Sequence, residues 1–182
     1  MMFGNPDTFA IEIGEIVDGP EARKARVQFR FAIDGQRLGD WLDRISLVGS
    51  AGYMEEFLDC SVHRRVEALR FATPEVLFAS IYDAFYQEDC KTLPNTIPNL
   101  QTRFHINDIG LGAIEDLYGI VVVDVSDATS RIVVEDLRRE KIIIDIDVPL
   151  GTVEAAGRAY VQWTRQRIGD TSGQPLSWKR RE

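Results

Sequence analysis

Apolar and polar positions alternate most clearly near the start of the chain, where Phe9-Ala10-Ile11-Glu12 is echoed by Phe31-Ala32-Ile33-Asp34. Phe9, Ile11 and Ile13 recur at every second residue, and so do Val27, Phe29, Phe31 and Ile33. A period of two places each set on one face of a strand, and the turn residues Asp18-Gly19-Pro20 between them predict an antiparallel hairpin. A slip of one residue would turn every apolar side chain outward, so the register is specified. It sets Ile13 opposite Phe29, Ile11 opposite Phe31 and Phe9 opposite Ile33. Glu12 and Arg30 then face each other on the outer side, a favourable cross-strand pair. Asp34-Gly35 closes the second strand as a turn.

Past Gly39 the pattern weakens. Trp41-Leu42 and Ile45-Ser46-Leu47-Val48 read as a short strand or as an irregular packed segment. Ser50 is the predicted N-cap of a helix over 51–59, with Met54, Phe57 and Leu58 on its apolar side. Residues 62–72 carry no clear pattern. Thr73-Pro74-Glu75 starts a helix: a capping threonine, proline at the first helical position, then an acid in the first turn. Its stripe is Leu77, Ile81, Ala84 and Phe85, and it ends near Gln87. Residues 91–102, with Pro94 and Pro98, read as a surface loop inside one domain.

Three strand-like runs follow, over 120–125, 131–137 and 141–148, with connections short enough to force antiparallel neighbours. The first is apolar on both faces, as a covered central strand would be. The last alternates, with Ile142, Ile144, Ile146 and Val148 on one side and Asp145 and Asp147 on the other. Thr152 is the predicted cap of a final helix whose core stripe is Val153, Ala156, Tyr160, Trp163 and Arg167. An antiparallel sheet that is apolar on one side needs a cover. The expected class is therefore α+β: a mainly antiparallel sheet of about five or more strands with helices packed on one face. One domain spans 1–182, with 170–182 a frayed tail from which Trp178 can dock.

Composition narrows the function. The chain has 182 residues, 45% hydrophobic and 27% charged, the balance of a globular domain with a real core. No apolar run approaches the roughly 20 residues a membrane span needs, and the first residues have no secretory pattern. A cytoplasmic protein that does not engage membranes is expected. With only Cys60 and Cys90, no disulfide framework is expected. The net charge of −8 disfavours nucleic acid and favours a partner with a basic surface.

Catalytic patterns are scarce. His63 and His105 are the two histidines. Cys60 and His63 are three apart but Cys90 and His105 fifteen apart, which fails the paired spacing of a zinc site. Gly110-Leu111-Gly112 lacks the third glycine of a dinucleotide loop. Neither metal nor cofactor is expected. Asp145 and Asp147, about 7 Å apart along one strand face, can hold a cation, be a solvated face, or form part of an acidic docking surface. Glu55, Glu56 and Asp59 offer a similar patch on the predicted 51–59 helix. These five acids are the candidate partner-binding residues.

The opening Phe3-Gly4-Asn5-Pro6 and Phe9-Ala10-Ile11-Glu12, followed by Phe29-Arg30-Phe31-Ala32-Ile33-Asp34-Gly35-Gln36-Arg37-Leu38-Gly39, resemble the start of the Immunity protein 42 family. Arg131-Ile132-Val133, then Val148-Pro149-Leu150-Gly151-Thr152 and a helix bearing Trp163, are similar to its C-terminal part. The resemblance implies a non-enzymatic bacterial inhibitor that binds and neutralises a cognate toxin in the cytoplasm; it transfers no binding residue. The hairpin's apolar residues would be core, leaving Glu12, Arg30 and the outer faces for recognition. A small-ligand-binding or regulatory α+β domain is the alternative. An enzyme using Cys60 or His105 with carboxylates is the third reading. Oligomeric state is open.

Overall fold

A computed structural model of the chain describes residues 1–17, 21–42, 44–86, 103–106, 114 and 116–176. The Asp18-Gly19-Pro20 turn, Cys90, the 91–102 loop, Gly110-Leu111-Gly112, the Phe85 side chain and Trp178 lie outside the described residues.

The α+β class and the antiparallel pairing stand, with the described strands divided between two sheets. The first holds β1 (Met2–Asn5), β2 (Phe9–Val17), β3 (Arg26–Ile33), β4 (Gln36–Leu38) and β5 (Arg44–Ser46). β4 and β5 pair with successive halves of β3, on the edge away from β2. The second holds β6 (Tyr118–Asp124), β7 (Thr129–Asp136) and β8 (Lys141–Pro149), with β7 in the middle. β6 is covered on both faces as its apolar run predicted, yet it is an end strand in the three-strand order.

The hairpin has the expected register: Phe9 faces Ile33, Ile11 faces Phe31, Glu12 faces Arg30 and Ile13 faces Phe29. The apolar row is wholly buried, with the Phe29 and Phe31 rings edge to face at 5.0 Å. Each such side chain stabilises the fold by about 2 kcal/mol through burial. Beyond Ile13 the ladder slips, because β2 carries an extra residue. Gln28 repairs the gap: its Oε1 accepts from the Glu15 amide at 2.8 Å. A side chain at Gly14 would collide with Gln28 and the Trp41 ring, so this position needs glycine.

The outer face of this hairpin is not open surface. Glu12 is buried, and its carboxylate pairs with both Arg30 and Arg37. The Arg30 guanidinium lies 3.9 Å from the centre of the Trp41 ring. Glu12 and Arg30 are packed against each other, and Arg30 against Trp41, so the side chains expected to be available for recognition are engaged within the hairpin.

Ser46, not Ser50, caps α1 (Leu47–Asp59): its Oγ accepts from the Gly49 amide at 3.0 Å. The helix therefore starts where β5 ends, in an extended residue suited to capping. Ser50 lies inside the helix, and its Oγ is 2.6 Å from the Tyr160 hydroxyl. The final helix, α3 (Thr152–Ile168), packs on α1, β1 and β2. Its cap is Gly151, while the Thr152 hydroxyl turns back to donate to the Pro149 carbonyl. Val153, Ala156 and Tyr160 are buried as expected and Trp163 is half-buried, but Arg167 is exposed. Gly157, Val161 and Thr164 complete the buried stripe instead. Gly157 lets α1 come close, since a Cβ there would lie 2.8 Å from the Met54 sulfur.

The main core lies between the two sheets and includes α1 and α3. Ile120, Val122, Ile132, Val134, Ile144 and Val148 enter it from the second sheet. The opposite face of that sheet, with Val121, Val123 and Val133, packs under Leu77, Phe78 and Ile81 of α2 (Pro74–Tyr86). Thr73 caps α2 as predicted, with its Oγ1 accepting from the Val76 amide. The register slips between Val134 and Glu135, so Ile143 has no counterpart on β7. This moves Ile142 to the α2 side and Ile143 to the main core, against the simple alternation. The 62–72 segment, which had no clear pattern, is two short 3-10 turns joined by a bridge from Arg65 to Asp124.

Arg64 is buried with no exposed side-chain surface and pairs with Glu154 on the first turn of α3. Its guanidinium lies 4.1 Å from the Phe57 ring centre. Burial lowers its pKa, against the pull of Glu154. Removing one partner from such a pair strands the other charge. Glu154→Ala is therefore expected to cost about 3 kcal/mol or more in urea unfolding. Arg64→Met combined with Glu154→Leu should recover most of that loss; a double variant as unstable as the single one refutes the account.

His105 is buried beside Tyr82, and burial pushes its pKa down to about 4. The unfolded histidine, near 6.5, takes up a proton first. Stability is thus fully present above pH 6.5 and is lost as pH falls toward 4. The expected loss from this group is about 2 kcal/mol by pH 5. Urea titrations at pH 7 and pH 5 should show it, and His105→Phe should flatten the difference.

Candidate functional site

The candidate acids fall into two groups that the fold does not join. Glu55 and Glu56 are half-buried on α1, and Asp59 is exposed at its end. Glu55 is committed within the chain. Its Oε1 accepts from Arg165 of α3 at 2.5 and 3.2 Å, and its Oε2 accepts from the Leu176 amide at 2.6 Å. Arg165 also donates to Asp170 and to the Gln174 carbonyl. These ties hold the segment after α3 in place as far as Leu176, which is buried. Residues 177–182 lie outside the described residues.

Asp145 and Asp147 stand together on the α2 side of β8, as the alternation required. Arg131, opposite Asp147 on β7, reaches Asp145 with two parallel bonds, Nε to Oδ1 at 2.6 Å and Nη2 to Oδ2 at 2.7 Å. Its remaining Nη1 donates to the Ala72 carbonyl at 2.8 Å, tying the sheet to the segment that leads into α2. The bond to Asp145 is the main reason the Arg131 pKa is raised. A two-point pair of this kind is strong and directional. Asp145 is thus largely neutralised. Asp147 is exposed, and no hydrogen bond or salt bridge reaches it among the described residues.

These residues line a groove of ≈430 Å3 together with Arg70, Phe71 and Ala72. Phe71 is 88% exposed, the most exposed large apolar side chain among the described residues. Pattern reading missed it, because residues 62–72 have no period to follow.

The catalytic candidates fare differently. Cys60 is a free thiol, half-buried at the C-terminal end of α1, and the amide of His63 donates to its carbonyl. His105 is buried beside Tyr82, and burial favours its uncharged form. Among the described residues, no three His, Cys, Asp or Glu side chains gather as a metal site would require. No helix among them is long and apolar enough to cross a membrane. The space between the sheets is filled by Phe29, Phe31, Tyr160 and their neighbours.

Comparison with known proteins bears on the whole chain. CdiI from Burkholderia dolosa has a similar fold, with a TM-score of 0.65 at 14% sequence identity over 90% of this chain and 99% of that one. Among curated proteins none matches. The family model described as Immunity protein 42 matches residues 1–163, which contain both sheets, α1, α2 and most of α3. The chain belongs to the Immunity protein 42 family, and it is a toxin-neutralising immunity protein.

Proposed function

We propose that this protein neutralises its toxin by stoichiometric binding and not by catalysis, in the cytoplasm of the cell that makes it. The toxin presents a basic surface to the acidic side of the second sheet. The observation that carries this reading is the exposure of Phe71 beside Asp145 and Asp147. An exposed large aromatic is suited to anchor an interface, where one ring supplies much of the affinity and charges at the rim select the partner. The net charge of −8 supports a cationic partner, whose approach it would accelerate. The fold likeness to a CdiI protein is consistent with this role. Asp147 is the more available of the two carboxylates, since Asp145 already has Arg131 as a partner.

Co-expression with the toxin encoded in the adjacent gene should protect cells, and the two chains should elute together from a sizing column. Phe71→Ala should weaken the complex by about tenfold or more while leaving the unfolding midpoint unchanged, because the ring is exposed. Absence of both protection and complex rejects binding as the mechanism.

A further inference from the structure

A second groove, of ≈450 Å3, opens between α2 and the β7–β8 hairpin. Its floor is apolar: Phe78 and Tyr82 are stacked with ring centres 5.5 Å apart, and Leu137 and Ile142 face them. Ile142 reaches this side only because of the register slip in β8. The rim is acidic, formed by Glu75 of α2, Glu135 of β7 and Glu140 of the turn. Glu140 adopts φ 48, a conformation in which glycine or asparagine is the usual choice.

None of these three carboxylates has a salt bridge among the described residues. Arg131, whose charge is felt at Glu75, is already held by Asp145 and the Ala72 carbonyl. Burial and the neighbouring charge of Glu140 hold the Glu135 carboxyl above its usual range. A third groove, of ≈360 Å3, exposes Val62 and Leu150, but its acids are already spoken for. There Asp127 pairs with Arg65, Asp124 accepts from Ser130, and Glu154 holds Arg64.

We infer that the groove between α2 and the β7–β8 hairpin receives an arginine side chain of the toxin, its stem on the Phe78–Tyr82 floor and its guanidinium among Glu75, Glu135 and Glu140. An aromatic floor under an acidic rim suits arginine better than lysine. The guanidinium is planar, stacks on rings, is weakly hydrated and can bond two carboxylates at once. Glu75 and the adjacent Val76, which is 54% exposed, connect this groove with the Phe71 surface along the chain. The inference rests on toxin binding as the mode of neutralisation and specifies what that binding requires.

The test is calorimetric titration of the full chain with the toxin domain encoded in the adjacent gene. Glu75→Gln, Glu135→Gln and Glu140→Gln together should weaken binding by about 100-fold or more. The same number of charges removed elsewhere, by Glu21→Gln, Asp34→Asn and Asp127→Asn, should weaken it by less than about fivefold. Glu140→Arg, an exposed turn substitution, tests the groove without disturbing the core and should also lower affinity. One toxin arginine, replaced by methionine, should show a loss that does not add to that of the triple variant. A triple variant within fivefold of the wild type, or equal losses from the distant acids, overturns the groove's role while toxin binding stands. Failure of the wild-type chain to bind at all rejects the binding mode itself.

Discussion

The structure depends on one constraint: the β6–β8 sheet is apolar on both faces and must be covered twice. Ile120, Val122, Ile132 and Val134 need one partner layer, and Val121, Val123 and Val133 need another. The first need is met by the β2–β3 hairpin with α1 and α3. The second is met by α2. An antiparallel sheet can leave one face to water, but this one cannot, because exposing Val121, Val123 and Val133 would forfeit about 2 kcal/mol each, a sum comparable with the whole net stability of a domain.

That double cover decides where the outer surface falls. With the main core closed by the hairpin and two helices, α2 becomes the outer layer, and the edges where it meets β7 and β8 become grooves. Aspartates and glutamates that alternate with the valines and isoleucines of these strands arrive at those edges by simple periodicity. Arg131 then pairs with one of them, Asp145, and anchors the approach to α2. The two grooves at the edges of α2 are a consequence of how the second core is roofed.

Buried charge has the opposite distribution. Glu12 with Arg30 and Arg37, Arg64 with Glu154, and Glu55 with Arg165 each join segments distant in sequence. They tie β2 to β3 and β4, the 3-10 turns to α3, and α1 to α3 with the segment that follows it. Such pairs add little net stability, but they penalise misplacement, since any wrong arrangement leaves a charge without a partner. Acids therefore divide by location: those inside specify how segments dock, while Glu75, Glu135, Glu140 and Asp147 at the α2 edges have no salt bridge among the described residues.

Sequence alone was enough to determine what has a short period. The hairpin register, the antiparallel run of β6 to β8, the threonine-capped start of α2 and the shared face of Asp145 and Asp147 all follow from spacing of two or of 3.6 residues, and neighbours along the chain enforce them. Tertiary structure decided everything that required a distant partner. The division into two sheets, the choice of Ser46 over Ser50 as a cap once Tyr160 engages Ser50, and the slip that moves Ile142 outward depend on contacts across the core. So does the fate of each acid: Glu55, Glu12 and Asp147 look alike in the chain, and only the position of an arginine more than ten residues away separates a structural tie from an open charge. Periodicity records which way a side chain points, but not what will be standing there when the chain has folded.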